Sequence, residues 1–161
     1  MDENENIEVM LEQIEVNEED CLQLVRKMKH IREYQETLDM KVNLFETVTE
    51  AYQGHQIRKL LWSSLKEWSE MVGDWQQVVF DEINIEEISE LSDQYYLKVT
   101  KCEARLVGST AVSKLSKMVR DFRSTMPIVA ALGNRYLQDN HWEEIKRLLN
   151  MEDSDFALEE K

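Results

Sequence analysis

The side chains with which this sequence could do chemistry are few and scattered. They are His30, His55 and His141, Cys21 and Cys102, and a large number of carboxylates. None of the histidines has a glutamate three residues before it, so the helical di-iron pattern fails, and no Cys or His stands at metal-ligand spacing from another. The sequence contains no GxxxxGK[ST] phosphate loop, no GxGxxG turn and no HExxH pair. A Ser-His or Cys-His nucleophile cannot be assembled from these positions. With 33 acidic residues, any two carboxylates fall near each other by chance, and their pairing carries no information. The expectation is a chain with no catalytic, cofactor-binding or metal-ligating residue of its own.

The aromatic residues are better organised. Trp62, Trp68 and Trp75 fall within fourteen residues, in a helical pattern of Ile57, Leu61, Leu65, Trp68, Val72, Trp75 and Val79. Such a stripe is either a recognition surface or core, and at helical spacing core is the default, because each ring buries a large apolar area.

The elements around it read as helices. From Ile7 to Tyr52 a three-four alternation runs through Ile7, Met10, Ile14, Asn17, Cys21, Leu24, Met28, Ile31, Gln35, Leu38, Val42, Phe45, Thr49 and Tyr52. One helix of that length would be roughly 70 Å long. Either it protrudes as a coiled-coil arm or it breaks, and the dip in helix propensity at Asp39, Val42 and Asn43 favours a break within residues 38–43. Gly54 is expected to end this region before the tryptophan helix begins.

Asn84 reads as an N-cap, Glu87 as its capping-box partner, and Ile83 with Ile88 as a hydrophobic staple. The helix they open runs from Ile85 to about Leu106 and buries Ile88, Leu91, Tyr95, Val99, Cys102 and Leu106, with Gly108 as its stop. A shorter helix follows from Thr110 to about Arg123 with Val112, Leu115, Val119 and Phe122 inward. Its outward Lys114, Lys117 and Arg120 join Lys98, Lys101 and Arg105 in a basic region, read as a solvated face or as a contact for an acidic partner such as the chain's own N-terminus. Pro127 suits the first turn of a new helix capped by Ser124 or Thr125 and stopped by Gly133-Asn134. Asn140 with Glu143 then opens a last helix burying Trp142, Ile145 and Leu149.

At 161 residues the chain is about one domain long. One proline and four glycines point to long helices: an all-α, elongated bundle of about five to seven helices with a long N-terminal one. The net charge of −14 resides in the tails. Residues 1–20 hold nine acids and no Lys or Arg, and residues 151–161 hold five acids against one Lys. An acidic chain without a basic, aromatic-interleaved surface argues against nucleic acid. No apolar run approaches the length of a membrane span, and the acidic N-terminus is wrong for a signal or transit peptide, so a cytoplasmic or cytoskeletal location and no membrane partner are expected. Both cysteines read as small core residues. The expected divisions are an acidic N-terminal helix over 1–38, a helical subdomain over 39–150, and an acidic, cut-off end over 151–161.

Taken in order, Leu61-Trp62, Trp68, Trp75, Ile83-Asn84-Ile85-Glu86, Phe122-Arg123, Met126-Pro127, Leu132-Gly133-Asn134, Leu137 and Asn140-His141-Trp142 resemble the N-terminal part of the linker of dynein heavy chains, most closely the axonemal ones. The likeness covers roughly residues 30 to 158 and departs from the family at Asn140, where the family has Arg, and at Asn134-Arg135, where it has Asn-Pro. On this resemblance Leu61, Trp62, Trp68, Trp75, Phe122, Pro127, Asn134, His141 and Trp142 are structural motif positions. The resemblance implies a non-catalytic helical segment at the tail-linker junction of an ATP-driven, minus-end-directed microtubule motor in the axoneme of a cilium or flagellum. Its partners would be the rest of the heavy chain, the ATPase ring that binds the ATP, and tail-associated chains. It also implies an exposed apolar patch around the last helix. The alternative is a free-standing helical adaptor that self-associates through the Ile7–Tyr52 seam.

Overall fold

The structure is a computed structural model that describes residues 3–75, 77, 84–132 and 136–149. Among these it has five helices and no strand: α1 (Glu3–Thr37), α2 (Glu46–Trp75), α3 (Ile85–Arg105), α4 (Thr110–Leu132) and α5 (Asp139–Leu149).

The long N-terminal pattern does break. At the end of α1 the Met40 N–H donates to the Gln35 carbonyl at 2.8 Å and the Asp39 N–H to the Glu36 carbonyl at 3.2 Å, with Asp39 left-handed at φ 52°. This is a Schellman stop, with Asp39 in the place usually given to glycine. The Gln35 side chain reaches across the connection and accepts the Asn43 N–H at 2.9 Å. Phe45, also left-handed at φ 50°, presents its carbonyl to the N–H groups of Val48 and Thr49 and opens α2.

Helices α1 and α2 form an antiparallel hairpin. The Thr49 hydroxyl lies 3.9 Å from the Met28 sulfur, Lys59 pairs with Glu18 at 2.6 Å and Lys66 with Glu8 at 3.8 Å, the α1 partner falling in number as the α2 residue rises. The α1 residues turned toward α2 are Ile7, Leu11, Ile14, Glu18, Cys21, Val25, Met28, Arg32 and Gln35, all buried or half-buried. The expected seam shares every seventh residue with this one and errs in the alternate positions. Asn17, Leu24 and Ile31 are exposed, because the side of α1 on which α2 lies is set by the connection and not by the apolar count.

Two expected boundaries are corrected. Gly54 does not end a helix but lies within α2. An isolated glycine costs about 1 kcal/mol against alanine, which burial along both faces of a 30-residue helix outweighs. Pro127 does not open a new helix either; α4 runs through it to Leu132. The proline forfeits one hydrogen bond to the carbonyl four residues back. The Ser124 and Thr125 hydroxyls turn back into α4, donating to the Asp121 and Phe122 carbonyls at 2.6 and 2.7 Å rather than capping a fresh start. Met126, just before the proline, is buried and anchors the continuing turn to the core.

Helix α3 starts as expected: Asn84 Oδ1 accepts the Glu87 N–H at 3.3 Å, and Asn84 Nδ2 donates to the Glu87 carboxylate at 3.4 Å. Ile83, the other half of the expected staple, lies outside the described residues. Beyond Arg105 the Leu106 N–H closes on the Cys102 carbonyl at 2.8 Å, and Gly108 takes φ 80° in the turn to α4. Helices α3 and α4 pack on each other and on α2, and Ile7 and Leu11 of α1 join the same apolar cluster, whereas α5 packs on none of the other four among the described residues.

Candidate functional site: the tryptophan face of α2

The core forms where three helices meet. Leu61, Leu65 and Trp68 of α2, Tyr95, Val99 and Cys102 of α3, and Val112, Leu115 and Val119 of α4 are each no more than 4% exposed. The 3.6-residue period of each helix puts these positions on one stripe, and closing the three stripes together removes them from water.

The aromatic rings occupy one end of this core. Trp68 stands edge-on to Trp75 at 6.1 Å and to Phe122 at 5.3 Å, tilts against Tyr95 at 5.2 Å, and Trp75 stacks on Phe122 at 5.2 Å. Edge-to-face and offset arrangements of this kind add about 1 kcal/mol per pair beyond area burial. Of the expected motif positions, Leu61, Trp68, Trp75 and Phe122 thus belong to one core, and the half-buried Trp62 packs against its edge beside Ile7 and Ala111. Pro127 is exposed on α4. His141 lies at the start of α5, where its Nδ1 accepts the Gln138 N–H at 3.1 Å while its own N–H donates to the Gln138 carbonyl at 2.8 Å. Asn134 and the side chain of Trp142 lie outside the described residues, as do the side chains of Asn140 and Leu149. The rings are core, not a surface for recognition.

A polar rim that sequence reasoning missed surrounds the core. The Tyr95 hydroxyl donates to Glu67 at 2.6 Å, and Lys98 sits 3.9 Å above the Tyr95 ring and 3.4 Å from the same carboxylate. Burial, then the Glu67 contact, pushes the Tyr95 hydroxyl well above its usual range. Arg123 pairs with Asp93 at 2.7 Å and lies 4.3 Å over the Tyr96 ring, and Arg120 meets both Glu103 oxygens at 3.0 and 3.1 Å while Ser116 donates to the same carboxylate at 2.7 Å. Of the expected basic region, Lys98 is thus tied to Glu67 of α2 and Arg120 to Glu103 of α3. Two acids of the N-terminal helix, Glu18 and Glu8, pair with Lys59 and Lys66 of α2. One signal was present in sequence: aromatic residues one helical turn from a charge, as in Tyr95 and Lys98.

The reactive types are placed as structural groups. Cys102 is fully buried, and burial pushes its thiol up, away from the reactive thiolate. His55 is buried in α2 with Nε2 unpartnered, as is the Ser64 hydroxyl. Among the described residues no three His, Cys, Asp or Glu side chains converge as a metal requires, and no helix is long and apolar enough to cross a membrane.

Residues 48–161 match the family model described as dynein heavy chain, N-terminal region 2. The chain belongs to the dynein heavy chain family. Human dynein axonemal heavy chain 6 is 25% identical over 127 residues, 79% of this chain and 3% of the relative. Mouse dynein axonemal heavy chain 2 is 23% identical over 106 residues, 62% of this chain and 2% of the relative. The flagellar outer-arm dynein alpha chain of Chlamydomonas reinhardtii is 24% identical over 91 residues, 54% of this chain and 2% of the relative. This dynein segment therefore spans 2–3% of the length of those relatives. No solved structure matches it. The family match begins in α2 and takes in the tryptophan face with α3, α4 and α5, leaving α1 and its connection before it.

Proposed function

We propose that this chain is a non-catalytic mechanical segment at the tail-linker junction of an axonemal dynein heavy chain, carrying force between the tail and a linker that moves as the motor turns over ATP. The observation that supports this most is the placement of α2: one 30-residue helix packs against α1, α3 and α4, and all of it but its first two residues lies inside the matched residues 48–161. A part that transmits force must resist bending between its two attachments. Interlocked rings such as Trp68, Trp75 and Phe122 resist relative sliding of α2 and α4, because interiors are close-packed and have low compressibility. ATP is bound and hydrolysed in the ring of the same motor, and this segment needs no cofactor. Its partners are the rest of the heavy chain, the ATPase ring and tail-associated chains, in the axoneme of a cilium or flagellum, with neither nucleic acid nor membrane as a binding partner. In keeping with a neighbour from the same heavy chain, Tyr136 just before α5 and Leu148 within it are 86% and 73% exposed.

Two experiments test this. An antibody to residues 122–149 and peptide mass spectrometry should find the segment in a chain many times longer than 161 residues that also yields ATPase-module peptides; a native chain of 19.1 kDa would overturn the reading. In the intact motor, Trp68→Ala should lower microtubule gliding velocity while basal ATP turnover persists. Equal losses of both, with the heavy chain still assembled, would count against a force-carrying role.

A further inference from the structure

The connection between α1 and α2, residues 38–45, reads LDMKVNLF and contains neither glycine nor proline. Two of its residues are nonetheless left-handed, Asp39 at φ 52° and Phe45 at φ 50°. That region penalises any side chain with a Cβ, and in a residue as bulky as phenylalanine it marks strain. Hydrogen bonds to the Gln35 carbonyl and side chain hold the turn against it. Leu38, Met40 and Leu44, in the same stretch, are 67%, 58% and 65% exposed.

The seven-residue pattern does not stop at this turn. Every seventh residue from Ile7 through Ile14, Cys21, Met28, Gln35, Val42 and Thr49 to Gln56 is buried or half-buried, and the row passes the connection at Val42 without a skip. A repeat of seven stays along one side of a helix that supercoils gently with a partner. A chain helical through residues 38–45 would therefore carry this row along a single long helix, with neither residue left-handed. Among the described residues α1 packs on α2 alone, and only its Ile7 and Leu11 reach the core cluster beyond.

We infer that α1 exchanges between two copies of this chain: the connection straightens, and α1 of each copy lies on α2 of the other. Met28 then meets Thr49, Glu18 meets Lys59 and Glu8 meets Lys66 across two chains as they do within one. The seam itself favours neither form. Relief of two left-handed residues in each copy favours the dimer, and the freedom lost on association opposes it. A short, strained connection between exchangeable elements is what invites such a swap. The midpoint of both the Met28–Thr49 and the Glu18–Lys59 pairs falls between Leu38 and Asp39, so the two-fold axis passes there and brings the exposed Leu38 and Met40 of the two copies close together.

Refolding the 161-residue chain from denaturant at high and at low protein concentration tests this, because exchange competes with hairpin closure while the chains are open. Sedimentation should show a dimer after the first and a monomer after the second. Asp39→Gly with Phe45→Gly frees the turn of its strain and weakens a helix through it, and should raise the Kd of the dimer at least about tenfold. In a Cys21→Ser background, Met28→Cys with Thr49→Cys puts a thiol on each side of the seam, while Cys102 stays buried. On oxidation the monomer should close its disulfide within one chain, and the dimer should run as a covalent dimer on a denaturing, non-reducing gel. A monomer at every refolding concentration would overturn the inference. So would a dimer whose disulfides all lie within single chains, or one that the two glycines leave unchanged.

Discussion

The Tyr95 hydroxyl and the Glu67 carboxylate meet at 2.6 Å across the α2–α3 interface, on the edge of a ring that packs against Trp68 inside the core. One residue thus joins the aromatic interior to the charged rim. Tyr95→Phe keeps the ring and removes the bond. A hydrogen bond to a charged group contributes about 1.5–3 kcal/mol, and with Glu67 half exposed to solvent the lower end applies, so we expect a loss of about 1 kcal/mol. Urea denaturation of both proteins measures it.

Burial of the Tyr95 hydroxyl, and then the same contact, predict an alkaline effect. Tyr95 holds its proton above its ordinary value of 10.0. The folded state therefore binds more protons than the unfolded one once pH exceeds that value, and stability falls as pH rises. Below pH 10 the contribution is fully present. Melting temperatures taken on either side should show the fall, and it should be shallower in Tyr95→Phe.

At the α1–α2 seam the sign is reversed. The hydrogen bond from Lys59 holds the Glu18 carboxyl below its ordinary 4.5, opposed by a smaller cost of burial. The folded state binds fewer protons than the unfolded chain, so the stabilisation is present above about that pH and is lost as pH falls through the lowered value. Glu18→Gln should flatten the acid limb of a pH-stability curve; an unchanged limb would show that the pair contributes nothing.

Asp39 ends α1 in a left-handed conformation at φ 52°. Glycine adopts that region without a Cβ penalty, so Asp39→Gly should stabilise the chain by about 1 kcal/mol, offset in part by the freer unfolded state. Asp39→Val, β-branched, should destabilise it by at least as much. Thermal unfolding of the three proteins orders them.

Pro127 sits inside α4 with its side chain exposed. Alanine there regains an N–H for the Arg123 carbonyl and suits the helix by about 3 kcal/mol, less about 1 kcal/mol for the more flexible unfolded chain. We expect Pro127→Ala to stabilise the isolated chain by about 2 kcal/mol, read from denaturant midpoints. A destabilised variant would mean that the ring fills a contact at the end of α4.

What the amino-acid sequence determined alone is whatever follows from neighbours along one helix. The all-α class, the Asn84–Glu87 start of α3, the inward rows Val112–Leu115–Val119 and Leu61–Leu65–Trp68, and the core placement of Trp75 and Phe122 were legible because period and capping are local. What only the tertiary structure decided is which side of a helix another helix lies on and when packing overrides a local stop signal. Glu18 and Arg32 are half-buried although they are charged, Glu18 paired with Lys59 of α2, while the apolar Leu24 and Ile31 point outward. A count of apolar residues favours the wrong pair. Gly54 and Pro127 read as breaks because each weakens a helix by itself, yet α2 and α4 pass through them, held by contacts with residues far away in sequence. The Tyr95–Glu67 and Arg120–Glu103 contacts join residues 28 and 17 positions apart. No periodicity within a single segment carries such a pairing; it exists once the α2, α3 and α4 stripes close on one another.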